Sequence, residues 1–420
     1  MADIIVIGGG AAGVLAAIRA AGRGADVLLL EKNGSIGHKL LLTGKGRCNI
    51  TNAKGWSEFS RHLHPKPNFI RPAFYNFPNT ATVEFFENEC GVETVLTRGD
   101  RIFPKTMMAR TVVEGLVRCM HDKGVKVEYN CDVLAVEKAA GGGFEVKVIC
   151  SSQHNICEMT FQARAVIVAT GGLSYPATGS TGRGYEIAGS FGHEIMDCFP
   201  SLTALTPQNY DIRLQGLDLV NVSAMLHIDR DIAADEFGDL SFTDGGIEGP
   251  IGFKLSRKAV KAMRNGNKVE VVIDLKPAVA LDALSARVAK DAAALSMPVH
   301  PSAQNMKDLL RKFMPAQMVL PFMDSNKGLA VENLARCLKE WRFKIADYVG
   351  YRRAVVTAGG VSTEEINSKT MGSKYVTGLF FAGEVLDVDG DTGGYNLQVA
   401  FSTGVLAADS AVKYLDLPKE

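Results

Sequence analysis

The chain predicts an α/β fold built on a nucleotide-binding unit. A strand, glycine turn, helix and second strand succeed one another within the first 31 residues. Glycine-rich α/β texture returns from about Thr357 to the end, and the stretch between, about 150 residues long, has a different texture. The simplest organisation is one nucleotide-binding domain assembled from both chain ends around an insertion.

Asp3 to Ile7 is a β-branched apolar run suited to a strand buried on both faces. Gly8-Gly9-Gly10-Ala11-Ala12-Gly13 follows, then a helical stretch that Gly22 and Gly24 end. Ala25 to Leu30 is a second buried strand, closed by Glu31. Ala109 to Lys123 reads as helix, Lys126 to Glu137 as a strand pair, and Arg164 to Ala169 as a buried strand ending in a glycine doublet. After about residue 195, the alternation in Val222 to Asp229 and Lys268 to Leu275 predicts antiparallel strands. Residues 280 to 341 read mainly as helix, with prolines at 298, 301, 315 and 321 cutting the helices short. The expected division is a discontinuous nucleotide-binding domain over 1–194 and 346–420, a β-rich insert over 195–279 and 322–345, and a small helical subdomain over 280–321.

Composition narrows the function classes. With 46% hydrophobic and 22% charged residues the chain is globular rather than disordered. Lys+Arg and Asp+Glu are both 46, so the formal net charge is zero. General nucleic-acid binders and polybasic membrane binders carry a basic excess, so a small-molecule substrate is expected, with neither nucleic acid nor membrane as partner. The longest apolar stretch, Ile4 to Ile18, holds four glycines and runs into Arg19, unlike a membrane span. Asp3 stands where a signal peptide has its basic region, so a cytoplasmic location is expected. Eight cysteines (48, 90, 119, 131, 150, 157, 198 and 337) contain no CxxC pair. That spacing argues against a metal site and a dithiol centre, and reduced thiols are expected.

Residues 8 to 13 fit GxGxxG. Gly8 permits the tight turn, Gly10 lets a pyrophosphate approach, and Gly13 allows close helix–strand packing. The helix N-terminus presents free N–H groups and partial positive charge to phosphates. Glu31, 18 residues after Gly13, is placed to accept from adenosine ribose hydroxyls, which disfavours a 2′-phosphate and hence NADP there. This motif alone does not separate NAD from FAD; other segments do. Lys39 to Asn52 is a glycine-punctuated basic loop in which Gly44 and Gly46 suit approach to a flat ring and Arg47 offers a planar donor fork. Cys48 reads either as a reactive thiolate beside Arg47 or as a packing thiol. Ala169-Thr170-Gly171-Gly172 lets the chain cross close to a cofactor. Gly378 to Glu384 is a strand ending in glycine and acid, and Glu384 is placed to accept from ribityl hydroxyls. Gly393-Gly394-Tyr395-Asn396-Leu397-Gln398 opens a small-residue helix running to about Tyr414. A second helix N-terminus is what a reduced flavin needs against the negative charge on its ring. FAD explains both helices; NAD leaves the second unexplained.

The combination TGKGRCNITN, ATGGLSYPATGSTG, VTAGGV, TMGSK and FAGEVLDVDGDTGGYNLQVAFSTG resembles the BaiN-like flavoproteins, also called the YhiN-type or aminoacetone-oxidase-type family. The resemblance covers most of the chain. It implies a Rossmann-like FAD-binding domain of the two-dinucleotide-binding-domains flavoprotein type, non-covalent FAD, a β-rich insert and a small helical insert. By motif it implies FAD contacts at Gly8, Gly10, Ala11, Ala12, Gly13, Glu31, Lys32, Lys39, Thr43, Gly44, Gly46, Arg47 and Cys48. Further along it implies them at Val133, through its backbone, and at Thr170, Gly171, Gly383, Glu384, Asn396, Leu397 and Gln398. Members have been linked to reduction of unsaturated bile-acid ketones and to aminoacetone oxidation. Asp244 and Glu248 replace the His and Ser of a frequent THxGxSGP motif, and Arg183 stands where Asp is frequent. The two acids read either as favouring a cationic substrate or as a solvated loop.

The expectation is therefore an FAD-dependent oxidoreductase that reduces an unsaturated ketone by hydride transfer, with NAD(P)H as a transient donor. An aminoacetone-like amine oxidase, a flavin-dependent RNA modifier and a non-catalytic FAD-binding protein are the alternatives. Tyr395, Asp387 and Asp244 are the acid–base candidates. Arg352 and Arg353 read as an anion site or as a surface pair.

Overall fold

The computed structural model describes residues 1–151, 156–298 and 300–416. Two units emerge, Met1–Phe199 with Val355–Glu420, and Pro200–Ala354. The last four residues of the expected nucleotide-binding domain, 417–420, lie outside the described residues, as do 152–155 of the same domain and 299 of the expected helical subdomain. The division falls five and nine residues later than the sequence boundaries. Strand Ile195–Ser201, whose residues up to Phe199 belong to the first unit, pairs with Val356–Val361, whereas Trp341–Tyr348 is a strand of the second.

The first unit is built on a seven-stranded sheet. Its strands are β1 (Ala2–Ile7), β2 (Val27–Leu30), β3 (Lys126–Glu128), β4 (Cys131–Lys138), β5 (Phe144–Ser151), β6 (Ile156–Val168) and β7 (Leu379–Phe381). The order is β3-β2-β1-β6-β5-β4, with β7 also on β6. β1 lies parallel to β2 and β6, and β7 parallel to β6, while β4 and β5 form an antiparallel extension. Parallel strands covered on both faces need unbroken apolar runs, and Ile4, Ile5 and Val6 are fully buried. Two helices pack on this sheet: α1 (Ala11–Ala21), between β1 and β2 in the chain, and α3 (Tyr395–Tyr414), near the C-terminus. A third, α2 (His38–Gly46), is kinked at Thr43 to Lys45. α1 and α3 cross in direct backbone contact, because a Cβ on Gly404 would lie 2.3 Å from the Ala12 carbonyl oxygen.

The second unit holds a closed barrel of six strands, Leu205–Pro207, Gly246–Glu248, Asp231–Thr243, Asp218–Ile228, Val269–Asp274 and Trp341–Tyr348, in that order around the ring. The expected antiparallel pairing of the 222 and 268 stretches is present, Ala224 opposite Ile273. Helices Leu281–Ala294, Ala303–Leu310, Ala316–Ser325 and Val331–Lys339 belong to the same unit. Pro298 and Pro301 separate the first two of these helices, and Pro315 caps the third. Pro321 does not end a helix as expected but lies inside Ala316–Ser325.

One cysteine expectation needs correction. Cys131 and Cys150 are joined by a disulfide, their Cα atoms 4.2 Å apart. A spacing rule misses this pair because 19 residues separate them; strand register makes them opposite partners.

Candidate functional site

The turn after β1 has the geometry its glycines predict. Gly8 adopts φ +103, and its N–H donates to Leu30 O at 2.9 Å. A Cβ on Gly13 would lie 1.9 Å from Gly8 O, so α1 and the turn touch, while the space around the Gly10 Cβ position is open. The first helical bond of α1 runs from Val14 N–H to Gly10 O. The N–H groups of Ala11, Ala12 and Gly13 therefore have no partner within the helix, and no side chain caps it.

Glu31, buried at the end of β2, accepts from Gly9 N–H at 2.6 Å, from Asn33 N–H at 2.8 Å and from Asn33 Nδ2 at 2.6 Å. A carboxylate offers about four acceptor positions, so roughly one remains open. Lys32 pairs with Asp132 at 2.9 Å, and Val133 is buried in β4.

Lys39 Nζ donates to Glu384 Oε2 and Ser174 Oγ, both at 3.0 Å. Glu384 Oε1 accepts from Ser174 Oγ at 2.6 Å and Thr357 N–H at 2.8 Å. Thr357 Oγ1 in turn accepts from Leu173 and Ser174 N–H. This knot joins four separate segments of the chain. Sequence reasoning missed Ser174 and Thr357, although both sit beside the glycine doublets that drew attention to ATGGLS and VTAGG. Gly383 lies against α1, where a Cβ would be 2.8 Å from Ala12 Cβ.

In the loop after Leu40, Thr43 Oγ1 donates to Leu40 O, and Gly44, Lys45, Gly46 and Cys48 are left-handed. Arg47 Nε donates to Gly44 O at 3.1 Å, and its guanidinium lies 5.4 Å from the Phe103 ring centre. Cys48 is fully buried, and burial pushes its thiol up to about 11, so it is a packing thiol, not a thiolate. The loop's end is stitched to α3: Thr51 Oγ1 donates to Gln398 Oε1 at 2.6 Å, and Asn52 Nδ2 to Gly393 O at 3.1 Å.

The opening of α3 repeats the logic of α1. Gln398 N–H bonds back to Gly394 O, leaving the N–H groups of Tyr395, Asn396 and Leu397 without helical partners. The side chains there are committed elsewhere. Asn396 Oδ1 accepts from Gly390 N–H and its Nδ2 donates to Gly390 O. Gln398 Nε2 donates to Phe77 O and Ser402 Oγ. What α3 offers a ligand is main chain.

The acid–base candidates fare differently. Tyr395 is buried, stacks on His62 with ring centres 4.3 Å apart, and burial pushes its phenol up to about 12. It is a packing residue. Asp387 is buried, with its N–H donating to Val361 O at 2.9 Å. Asp244 lies in the second unit, where Arg353 pairs with it at 2.6 Å and with Glu248 at 3.3 Å, holding the Asp244 carboxyl below its usual range. The two acids thus answer a cation of their own unit. Arg183 pairs with Glu186.

One cluster escaped the sequence reading. His62 Nδ1 is 2.8 Å from Asp391 Oδ2, and His64 Nε2 is 3.5 Å from Oδ1, just ahead of α3. Burial raises the Asp391 carboxyl, but hydrogen bonds to His62 and His64 outweigh it and hold the group well below the usual carboxylate range. Two histidines one residue apart in RHLH carry no such signal until a short strand pairing, Asp389 opposite His64, brings Asp391 to them.

A fit to a flavin dinucleotide is testable on buried atoms. Thr170 Oγ1 and Asn49 Oδ1, in two of the loops assigned to it, are buried without a hydrogen-bond partner, an arrangement that a bound polar ligand relieves. Two uncapped helix N-termini and the glycine turn supply N–H donors for its phosphates and ring. The residues present fit the group.

Comparison with known proteins agrees. Residues 2–410 match the HI0933-like protein Rossmann domain. The chain is 32% identical to the 3-dehydro-bile acid delta(4,6)-reductase of Clostridium scindens, covering 98% of this chain and 100% of that protein. It is 31% identical to a ribosomal RNA dihydrouridine synthase of Haemophilus influenzae, covering 96% and 97%. The fold is also that of the 3-ketosteroid delta1-dehydrogenase of Sterolibacterium denitrificans, at a TM-score of 0.54 and 12% identity over 98% of this chain and 99% of that one. The chain belongs to the HI0933-like Rossmann-domain family of FAD-dependent oxidoreductases.

Proposed function

We propose that this protein reduces a carbon–carbon double bond conjugated to a carbonyl, with FAD bound non-covalently along the α1 and α3 N-termini and NAD(P)H as electron donor. The observation that carries the reading is the pair of uncapped helix openings, joined through Ala12, Gly383 and Gly404. One opening suits a pyrophosphate, the other a ring that gains negative charge on reduction. Bound FAD supplies the two-electron hydride chemistry. Around it, Glu31 holds the glycine turn and offers its remaining lone pair to a ribose, and Lys39, Glu384, Ser174 and Thr357 fix the chain beside the cofactor's middle.

The substrate class draws on the relatives. A delta(4,6)-reductase of a 3-dehydro-bile acid and a dihydrouridine synthase both add two hydrogens, by their names, to a double bond in conjugation with a carbonyl. Zero net charge favours a small ketone over RNA. Uridine in RNA is the second reading, supported by relatives at 30% and 31% identity over nearly the full chain.

The test is an anaerobic titration of the flavin band with NADH, then NADPH, followed by an acceptor. Bleaching by a nicotinamide and return of colour with a 3-oxo-4,6-diene steroid is the expected result. Colour returning only with RNA, with dihydrouridine in its digest, establishes the second reading. No bleaching, with photoreduction intact, rejects a nicotinamide-fed reductase, and bleaching by aminoacetone instead would make the protein an amine oxidase.

A further inference from the structure

We propose that Cys131, Cys150 and Cys157 form a thiol–disulfide exchange site, in which one bridge passes between Cys131–Cys150 and Cys150–Cys157. The three residues lie on adjacent strands β4, β5 and β6 and are mutual register partners, Cys131 opposite Cys150 and Cys150 opposite Cys157. Directly opposed residues of antiparallel strands share a face, with Cβ atoms about 4.5–5.5 Å apart. A disulfide spans about 3.5–4.5 Å between Cβ atoms, so the unbridged pair needs only a small approach. Phe144, Val146 and Val148 are buried at alternate positions of β5, the face to which Cys150 also belongs. Three sulfurs thus line up across the same end of one sheet.

Cys157 is the one of the three that carries a free thiol, and it is exposed. Its Sγ lies 3.8 Å from Cys150 O, so it sits over the bridge's central residue. Cys48, Cys90 and Cys119 are buried, where a thiol is withheld from solvent. None of those three belongs to a strand beside the disulfide.

The exchange balances within the protein. Cys157 gives its proton to solvent and attacks Cys150 Sγ; the Cys150–Cys157 bond forms as the Cys150–Cys131 bond breaks. Cys131 leaves as thiolate and takes up a proton. One disulfide exists before and after, and no external oxidant or reductant is needed. The released residue matters for its neighbour: Cys131 N–H donates to Glu31 O at 2.9 Å, and the Glu31 carboxylate holds Gly9. The moving bridge therefore ties or frees the strand end that abuts the glycine turn.

Trypsin reads the two states directly. Cys131 falls on peptide 127–138, whereas Cys150 and Cys157 share peptide 148–164. The first bridge links two peptides and the second closes a loop within one. The FAD-bound full chain would be equilibrated in glutathione buffer at about pH 8, where thiolates form. It would then be acid-quenched, alkylated, digested and analysed by mass spectrometry without reduction. Both species are expected, the looped peptide holding roughly a tenth or more of Cys150, because both bridges join paired positions of one sheet. C157S should show only the linked peptides, and C131S in oxidised glutathione only the loop. Linked peptides alone in the wild type, or a C131S protein whose Cys150 and Cys157 both stay unpaired with each other, overturns the proposal. So does the absence of any bridge to Cys150 in oxidised glutathione.

Discussion

Lys39 and Glu384 meet at 3.0 Å with side chains 24% and 19% exposed, and the pair ties α2 to the segment after β7. Removing the cation leaves a half-buried carboxylate with only Ser174 Oγ and Thr357 N–H to answer it. Lys39→Met should cost about 1–2 kcal/mol, less than a fully buried pair because solvent screens part of the loss. Chemical denaturation checks this, and an unchanged midpoint would show the pair to be idle. Asp391 makes a prediction with a sign. Its carboxyl is held below the ordinary range in the folded chain, so its stabilisation is present above the unfolded value of about 3.9 and is lost as pH falls through the folded value. The melting-temperature gap between the wild type and Asp391→Asn should be full at about pH 5 and shrink below about pH 4. A gap that widens in acid contradicts the assignment.

At the scale of elements, the crossing of α1 and α3 decides where two helix openings meet. Gly404 lies mid-helix in α3, a position where glycine weakens a helix by about 1 kcal/mol relative to alanine. It is nonetheless required, since a Cβ would lie 2.3 Å from Ala12 O. Gly404→Ala should therefore destabilise the protein despite its better helix propensity, by roughly 2–4 kcal/mol. It should also lower flavin retention through gel filtration, read as the ratio of absorbance at the flavin band to that of protein. A more stable, flavin-replete variant would show that the helices do not need this contact. The opening of α3 was legible because GGYNLQ precedes an unbroken small-residue run. Its packing partner was not, because the contact joins residues almost 400 positions apart.

For the whole molecule, every residue assigned to FAD lies in the first unit, and the second, Pro200–Ala354, departs and returns at one pair of chain crossings. Strands Ile195–Ser201 and Val356–Val361 are paired neighbours at that point. Replacing 202–354 by a short glycine–serine linker should give a chain that still purifies yellow. A soluble but colourless product would place part of the cofactor's support in the second unit. No helix among the described residues is long and apolar enough to cross a membrane. What the sequence by itself determined is local: the βαβ unit, the glycine turn, Glu31 and, far along the chain, the second helix opening, each encoded by its own short run of residues within about 30 positions. Tertiary structure decided the rest. It placed Lys39 on Glu384, His62 on Asp391 and Cys131 on Cys150, gave Asp244 its Arg353, and stacked the Tyr395 ring on His62. The physical reason is the same in each case. Periodicity and spacing report which way a side chain points along its own element, whereas its partner is set by strand register and helix crossing, which are fixed only when the whole core packs.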